Sequence, residues 1–379
     1  MTRHLHRLTA ATASALVVAL LVGCAPAAPG GESAGSGAAQ QCVASDVPLA
    51  DLAADTHPRE ATGPSTACLA DARVIALDEP TPDLPVTLTD ADGREVTVTD
   101  ASRILALDVS GALAATVFGL GLGDRVVGRD ASTGFPEASD LPVVTQSGHT
   151  LAAEPILALD PSVVITDTTL GPSAVIEQLR DAGIPVVITE SERNLDTIDT
   201  VIDQVATALG VPEQGERLND RVHDEIAQVT GEIDELAPDD PAERPRMIFL
   251  YVRGSAGVYY LFGEESGADS LITALGGIDV AGEIGWQGMR PVTAEALVQA
   301  EPDVVLLMTK GLESVGGIDG LLEAVPALAS TPAGQHRRFV DMDDTQVLSF
   351  GPRTADVLEA LARAVYAPAQ SGMIGEASE

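Results

Sequence analysis

Residues 246–262, RMIFLYVRGSAGVYYLF, contain the segment that decides the fold. Their first part, Met247 to Leu250, is a short apolar run of the kind that a buried parallel strand makes. Because side chains two apart on a strand point to the same face, Tyr251 and Arg253 are expected to project together where this strand ends. Open α/β sheets bind their ligands at the carboxyl ends of their strands. A phenol beside a guanidinium at that edge predicts a site for an anionic ligand or a metal ion.

The chain on both sides of this segment alternates strand and helix patterns, which predicts two Rossmann-like α/β lobes with parallel sheets. The first lobe covers residues 85–190 and the second covers residues 246–379. The lobes share a pattern, which reads AAEPILALDPSVVIT at 152–166 and TAEALVQAEPDVVLL at 293–307. Each copy has an Ala-Glu pair, an apolar helix, an acid-Pro pair and a β-branched strand. This weak duplication indicates that the lobes are related units.

The segment between the lobes, residues 191–245, is predicted to be helical. Pro212 opens its second helix at a position where proline is tolerated, and no strand signal interrupts the pattern before about Leu236. At about 1.5 Å per residue this helix would be about 37 Å long, which is enough to cross between two lobes. The predicted fold is therefore α/β, with two lobes joined by one long helix.

The N-terminus has the features of a targeting segment. Residues 1–23 combine two arginines with a short apolar core, which is typical of a signal peptide and not of a transmembrane helix. The core ends in LVGC at 21–24, which resembles a bacterial lipobox. The resemblance implies cleavage before Cys24 and acylation of its sulfur, which would anchor the protein to the outer face of the cell membrane.

Residues 24–84 are predicted to be a lipid-anchored flexible tether followed by an extension. The tether is rich in Ala, Gly, Ser and Pro and has too few large apolar residues to fold. Once Cys24 is acylated, Cys42 and Cys68 remain as an even pair in an oxidising compartment. We expect a disulfide between them, and two free thiols are the alternative.

The composition excludes several classes of function. The formal net charge is −36, with 57 acidic residues against 21 basic ones, which argues against nucleic acid as a partner. The glycines of GLGLG at 119–123 miss the spacing of a dinucleotide-binding motif, and the chain has no P-loop. We therefore predict that the protein is not an enzyme.

One histidine stands out from the six in the chain. His149 lies in the loop QSGHT at 146–150, which follows a predicted strand of the first lobe and so belongs to the ligand-binding edge of that sheet. A neutral imidazole at a cleft edge is the commonest metal ligand in proteins. Taken alone, His149 is better explained as an ordinary surface histidine. Together with Tyr251 it predicts two ligands that face each other across a cleft.

These features resemble the helical-backbone (class III) periplasmic binding proteins of ABC importers, and among them the haem-binding lipoproteins of actinobacterial importers, the HmuT family. The resemblance covers residues 85–366 and rests on the lipobox, the two lobes, the bridging helix, and the SGHT and YVRG motifs. It implies a monomer that captures haem b as a transported ligand and delivers it to an ABC permease and its ATPase.

The family's functional positions map onto individual residues here. The resemblance implies that His149 and Tyr251 are the axial ligands of the haem iron, and that Arg253 favours the tyrosinate. The duplicated Ala-Glu pairs match the positions that dock on the permease, Glu154 and Glu295. Trp286, Met289 and Arg290 are candidates for the pocket wall or for a propionate contact, and a purely structural role for their loop is equally open.

Two other functions remain as alternatives. The same fold binds ferric siderophores or cobalamin, but siderophore sites need several cationic or aromatic groups. Lys310 is the only lysine in this chain, and few arginines are expected near the cleft. A structural lipoprotein or adhesin is the other alternative, against which the duplicated Ala-Glu helices argue only weakly.

Overall fold

The structure is a computed structural model that describes residues 47–53, 57–146 and 148–368. The predicted signal peptide, the tether, Cys24 and Cys42 lie outside these ranges. All described residues belong to one compact unit, Gln40–Glu379. None of the helices in the described part of the chain is long and apolar enough to cross a bilayer.

The elements follow one another along the chain in the alternation that the sequence predicts. The strands are β1 Ser65–Ala67, β2 Val86–Thr89, β3 Glu95–Val98, β4 Ile104–Leu107, β5 Thr145–Gln146, β6 Thr150–Leu151, β7 Val163–Thr166, β8 Val186–Ile188, β9 Arg246–Arg253, β10 Val258–Phe262, β11 Ile278–Asp279, β12 Met289–Pro291, β13 Val304–Met308 and β14 Phe339–Met342. The helices are α1 Ala112–Gly119, α2 Ala153–Ala158, α3 Ser173–Asp181, α4 Ile198–Ala208, α5 Pro212–Leu236, α6 Ala268–Ala274, α7 Val280–Glu283, α8 Ala294–Ala300, α9 Thr309–Glu313, α10 Gly317–Ala324, α11 Pro332–His336 and α12 Thr354–Tyr366.

The N-terminal lobe is built on a parallel sheet with the strand order β4-β7-β8. All three strands are buried along their whole length, as expected for apolar runs that are covered on both faces. The antiparallel hairpin β2–β3 precedes this sheet, and Gly93 adopts a φ of +77° in its turn. The strand predicted at 141–144 is reduced to an isolated bridge at Val143, followed by the short strand β5.

The C-terminal lobe has a seven-stranded sheet with the order β1-β14-β13-β9-β10-β12, and β11 also pairs with β9. Strands β9, β13 and β14 are parallel, which confirms the predicted α/β unit. The sheet is mixed, however, because β10 and β12 add to β9 as antiparallel strands. The turn after β9 is only four residues long, and Gly257 takes its left-handed position with a φ of +64°. A turn this short can only send the chain back beside the strand it left.

The bridging helix α5 has the predicted bounds, Pro212–Leu236. Leu218, Val222, Val229 and Ile233 recur every four or seven residues and form its buried face. It packs against α4 of the linker and α12 of the C-terminal lobe. One hydrophobic cluster includes these residues together with strand residues of both lobes. The two lobes therefore share a continuous core along the bridging helix.

The last part of the predicted extension differs from the expectation, because it belongs to the C-terminal lobe. β1 pairs in parallel with β14, and the buried Arg338 donates to Ser65 Oγ at 2.9 Å. Leu49 and Leu52 are buried in the hydrophobic cluster that the lobes share. Cys68, next to β1, is disulfide-bonded, and pairing with Cys42 stays a prediction because Cys42 lies outside the described residues.

Candidate functional site

Tyr251 lies near the carboxyl end of β9, where the buried strand reaches the edge of the sheet. Its ring stacks on Phe262 of the antiparallel strand β10, with 5.9 Å between the ring centroids. The guanidinium carbon of Arg253, two residues further along β9, lies 4.7 Å from the centre of the same ring. The strand thus places both side chains on one face, as the sequence predicts. The phenol is partly buried, held between an aromatic ring and a cation.

Asp344 fixes the position of Arg253. Its Oδ2 accepts a hydrogen bond from Arg253 Nη2 at 2.9 Å, and its Oδ1 accepts one from the backbone N–H of Lys310 at 2.9 Å. Arg253, Lys310 and Asp344 follow or end three adjacent strands, β9, β13 and β14. The carboxyl edge of this sheet therefore carries an interlocked cluster of charged groups beside Tyr251.

His149 comes from the other lobe and lies in the tight hairpin between β5 and β6. Gly148 before it has a φ of +86°, which a turn of this kind requires of a glycine. The His149 ring is exposed, yet partial desolvation lowers the pKa of its imidazole, and the positive charge of Arg253 lowers it further. Asp344 acts on the same imidazole in the opposite direction. The histidine is thus close enough to the C-terminal cluster to feel both of its charges, and it is neutral at neutral pH.

The carboxyl edge of the N-terminal sheet carries a different polar cluster, formed by Asp108, Asp130 and Asp167 with Arg193. Arg193 Nη2 pairs with Asp167 at 2.8 Å and lies 3.6 Å from Asp108. Asp130 accepts hydrogen bonds from the backbone N–H groups of Asp108, Ser132 and Thr133. Burial, with the charge of Asp108, raises the pKa of Asp130 to about 7 and that of Asp167 to about 6. These carboxyls are buried and bonded within the lobe, so they offer nothing to a ligand.

Trp286 packs inside the C-terminal lobe. Its indole N–H donates to the backbone oxygen of Leu261 at 2.9 Å, and the guanidinium carbon of Arg290 lies 4.6 Å from its ring centre. Trp286 joins the hydrophobic cluster on one face of the sheet, whereas Tyr251 joins the cluster on the other face. Met289 is exposed on the edge strand β12. Of the two readings that the sequence left open for this loop, these contacts favour the structural one.

Glu154 and Glu295 occupy equivalent places in the two lobes. Each lies in the first turn of a short helix, α2 or α8, that begins shortly after an edge strand. Both side chains are exposed, and within the described residues neither forms a salt bridge. They are therefore free to meet a partner.

The structure brings His149, Tyr251 and Arg253 together and keeps Trp286 apart from them. The sequence analysis missed two members of the cluster, Asp344 and the role of Lys310 beside it. Asp344 lies two residues after the strand pattern RFVDM and Lys310 lies two residues after VVLLM, so the sequence places both near strand ends without showing that they meet. Within the described residues no group of three or more His, Cys, Asp or Glu side chains could hold a bare metal ion.

Comparison with protein families gives a match to the periplasmic binding protein family over residues 109–345. A curated relative, an uncharacterised ABC transporter substrate-binding lipoprotein of Bacillus subtilis named YvrC, is 24% identical over 287 residues. That alignment covers 74% of this chain and 86% of the relative. The family match spans more than half of the chain.

Several solved structures that match this chain are haem-binding proteins. The crystal structure of the haem-binding protein HmuT is 44% identical, has a TM-score of 0.77, and covers 82% of this chain and 100% of its own. Variants of that protein with a histidine, a tyrosine or an arginine replaced by alanine also match. The periplasmic haem-binding protein RhuT of Roseiflexus sp. RS-1 is 38% identical with a TM-score of 0.63, and covers 72% of this chain and 100% of its own.

These matches confirm the predicted two-lobed fold with its bridging helix, and they confirm that the protein is a binding protein and not an enzyme. The chain belongs to the periplasmic binding protein family, and its structure matches that of haem-binding HmuT.

Proposed function

We propose that this protein binds haem b between its two lobes and delivers it to an ABC permease for haem-iron uptake. The observation that carries the proposal is the geometry at the end of β9, where Tyr251 is stacked on Phe262 and covered by Arg253, with the charge of Arg253 also acting on His149 of the other lobe. An imidazole and a phenol on opposite sides of a cleft supply the two axial positions that the four porphyrin nitrogens leave open on the iron.

The chemistry of each group suits ferric haem. Ferric iron is a hard ion, and a tyrosinate oxygen is an established haem ligand. The phenolic oxygen of Tyr251 would bind the iron, and the guanidinium carbon of Arg253 lies 4.7 Å from the centre of its ring. The lowered pKa of His149 keeps its imidazole neutral, which is the form that binds a metal. A tyrosinate also stabilises the ferric state, which is the state expected outside the cell.

The comparisons support this assignment of residues. HmuT is a haem-binding protein, and the alanine variants that match this chain replace a histidine, a tyrosine, and an arginine two positions after the tyrosine. Tyr251 and Arg253 have the same spacing here. His149 is the remaining member of the set.

Delivery involves a lipid anchor and a permease surface. The relative YvrC is a substrate-binding lipoprotein, which supports acylation of Cys24 and a place at the outer face of the cell membrane. Glu154 and Glu295, exposed on matching helices, are the acidic groups that we assign to docking on the permease, whose ATPase would drive uptake. The protein would do this as a monomer.

A haemin titration of the mature protein without its lipid tests the proposed function. We expect one haem per chain, a shift of the Soret band, and the charge-transfer band that tyrosinate ligation gives. A ferric siderophore and cobalamin, titrated in parallel, represent the two rival ligands of this fold. The proposal is wrong if haemin produces no Soret shift, or if either rival binds in its place.

A further inference from the structure

We propose that Lys310 binds a carboxylate of the ligand, so that this lysine recognises a haem propionate at the rim of the cleft. This inference rests on the proposed function and adds Lys310 as the group that binds the carboxylate side of the porphyrin. It assigns a binding role to a residue outside the iron ligands.

Lys310 differs from every arginine in the described residues. Each described arginine has a hydrogen bond, an ion pair or a ring contact through its guanidinium. In this same part of the chain, the Lys310 ammonium alone has none of these contacts, and its side chain is exposed. A protein with 57 acidic residues has many ways to pair a single lysine. The Lys310 ammonium is therefore available to a partner that binds from outside.

The backbone around Lys310 is fixed beside the iron site. Lys310 is the second residue of α9, the helix that begins immediately after β13. Its backbone N–H donates to Asp344 Oδ1 at 2.9 Å. The next residue, Gly311, packs so closely that an added Cβ would lie 2.8 Å from the Val252 oxygen and 3.4 Å from Arg253 Nη1. The lysine is therefore held at the same sheet edge as Tyr251, with its side chain free.

The other cations near the site already have partners. Arg253 pairs with Asp344 at 2.9 Å and covers the Tyr251 ring, so its charge is committed to the phenol. Arg290 lies over Trp286, which packs in the hydrophobic cluster on the opposite face of the sheet from Tyr251. Among the lysine and arginine side chains described at this edge, Lys310 is thus the one that a propionate can reach without breaking an existing pair.

The test pairs a change in the protein with a change in the ligand. Two ligands, haemin and haemin dimethyl ester, are added from dimethyl sulfoxide stocks to the wild type, Lys310→Met and Lys310→Arg. The ester lacks the propionate charges. The Arg337→Met variant is the matched control, because it removes one exposed cation at the opposite edge of the sheet, before β14.

We expect Lys310→Met to weaken haemin binding about twofold to fivefold, as loss of an exposed ion pair does. The same variant should bind the dimethyl ester as tightly as the wild type does, Lys310→Arg should retain haemin binding, and Arg337→Met should change neither ligand. The Soret and charge-transfer bands should stay unchanged, because Lys310 does not touch the iron.

The outcomes separate this inference from the function on which it rests. If the wild type does not bind haemin, both are wrong. If the wild type binds haemin and Lys310→Met binds it equally well, or loses haemin and its ester to the same extent, only the role of Lys310 is wrong.

Discussion

The carboxyl edges of the two sheets both end in charged side chains, but these charges are almost fully buried at one edge and partly exposed at the other. In the N-terminal lobe, Asp108 and Asp167 follow β4 and β7 and are closed into a buried network by Arg193. In the C-terminal lobe, Arg253 and Asp344 at the same kind of edge leave the Tyr251 phenol accessible. Topology places polar side chains at the carboxyl edge of both sheets. Whether these side chains are accessible depends on how their charges are paired.

The two lobes also hold their proposed iron ligands with different rigidity. Tyr251 lies on an eight-residue strand that has neighbours on both sides, and it is fixed by Phe262 and Arg253. His149 lies in a tight turn between two-residue strands and is exposed. The C-terminal half of the site is therefore preorganised, and the N-terminal half can adjust to the ligand. Preorganised contacts are expected to contribute more to affinity, because less freedom is lost on binding.

Replacing Tyr251 should therefore have the largest effect on haem binding. We expect Tyr251→Ala to weaken haem binding by more than the ~100-fold that loss of an outer partner of a metal ligand can cost. The charge-transfer band of tyrosinate should disappear. Tyr251→Phe is the matched control, since it keeps the stack on Phe262 and removes only the oxygen. An unchanged visible spectrum in Tyr251→Phe would show that the phenol is not an iron ligand.

Replacing His149 should have a smaller effect that depends on pH. We expect His149→Ala to weaken haem binding about tenfold at pH 7.5, because an exposed loop ligand loses more freedom on binding. Metal ligands must be deprotonated, and the folded-state pKa of His149 is lowered, so its neutral form persists to pH values below the ordinary ~6.5. The ratio of the wild-type affinity to that of the variant should be constant from pH 8 to about 6.5 and fall only below that range.

A ratio that already falls near pH 7 would mean that His149 does not carry the lowered pKa. An effect of His149→Ala as large as that of Tyr251→Ala would contradict the assignment of the more rigid, dominant ligand to the C-terminal lobe. Visible spectra recorded at each pH follow both quantities at once.

Much of the fold was predictable from the sequence, because its signals are local. The helix at Pro212–Leu236 and the strand at Val304–Met308 have the predicted bounds. The antiparallel strand β10 was missed because VYYLF carries no signal for its direction, which the short turn at Gly254 decides. β1 was missed because three residues, STA, form a strand only where the edge of β14 is open to them.

The site was predictable only for residues whose side-chain direction follows from their position on a strand. Tyr251 and Arg253 follow from the two-residue period of a strand. Asp344 could not be assigned, because its partner Arg253 is 91 residues away and the pairing depends on three adjacent strand ends. For the same reason the sequence could not separate Trp286 from the site, since the face on which a side chain packs depends on the register of β10 with β12.

Replacing the two exposed glutamates at equivalent positions of the lobes should have the smallest effect on haem binding. Glu154 and Glu295 are exposed on equivalent helices and form no hydrogen bond or salt bridge with Arg253, Lys310 or Asp344 within the described residues. We expect the double variant Glu154→Ala, Glu295→Ala to bind haem as the wild type does and to abolish haem uptake in cells. A variant with Glu213→Ala and Glu216→Ala, two exposed residues of the bridging helix, loses the same charge and should transport normally. If each single variant, Glu154→Ala or Glu295→Ala, abolishes uptake, both lobes must dock together, and the duplicated pattern is functional in both copies. If uptake is unaltered in the double variant, the repeated glutamates reflect only the common origin of the lobes. The permease then binds another surface.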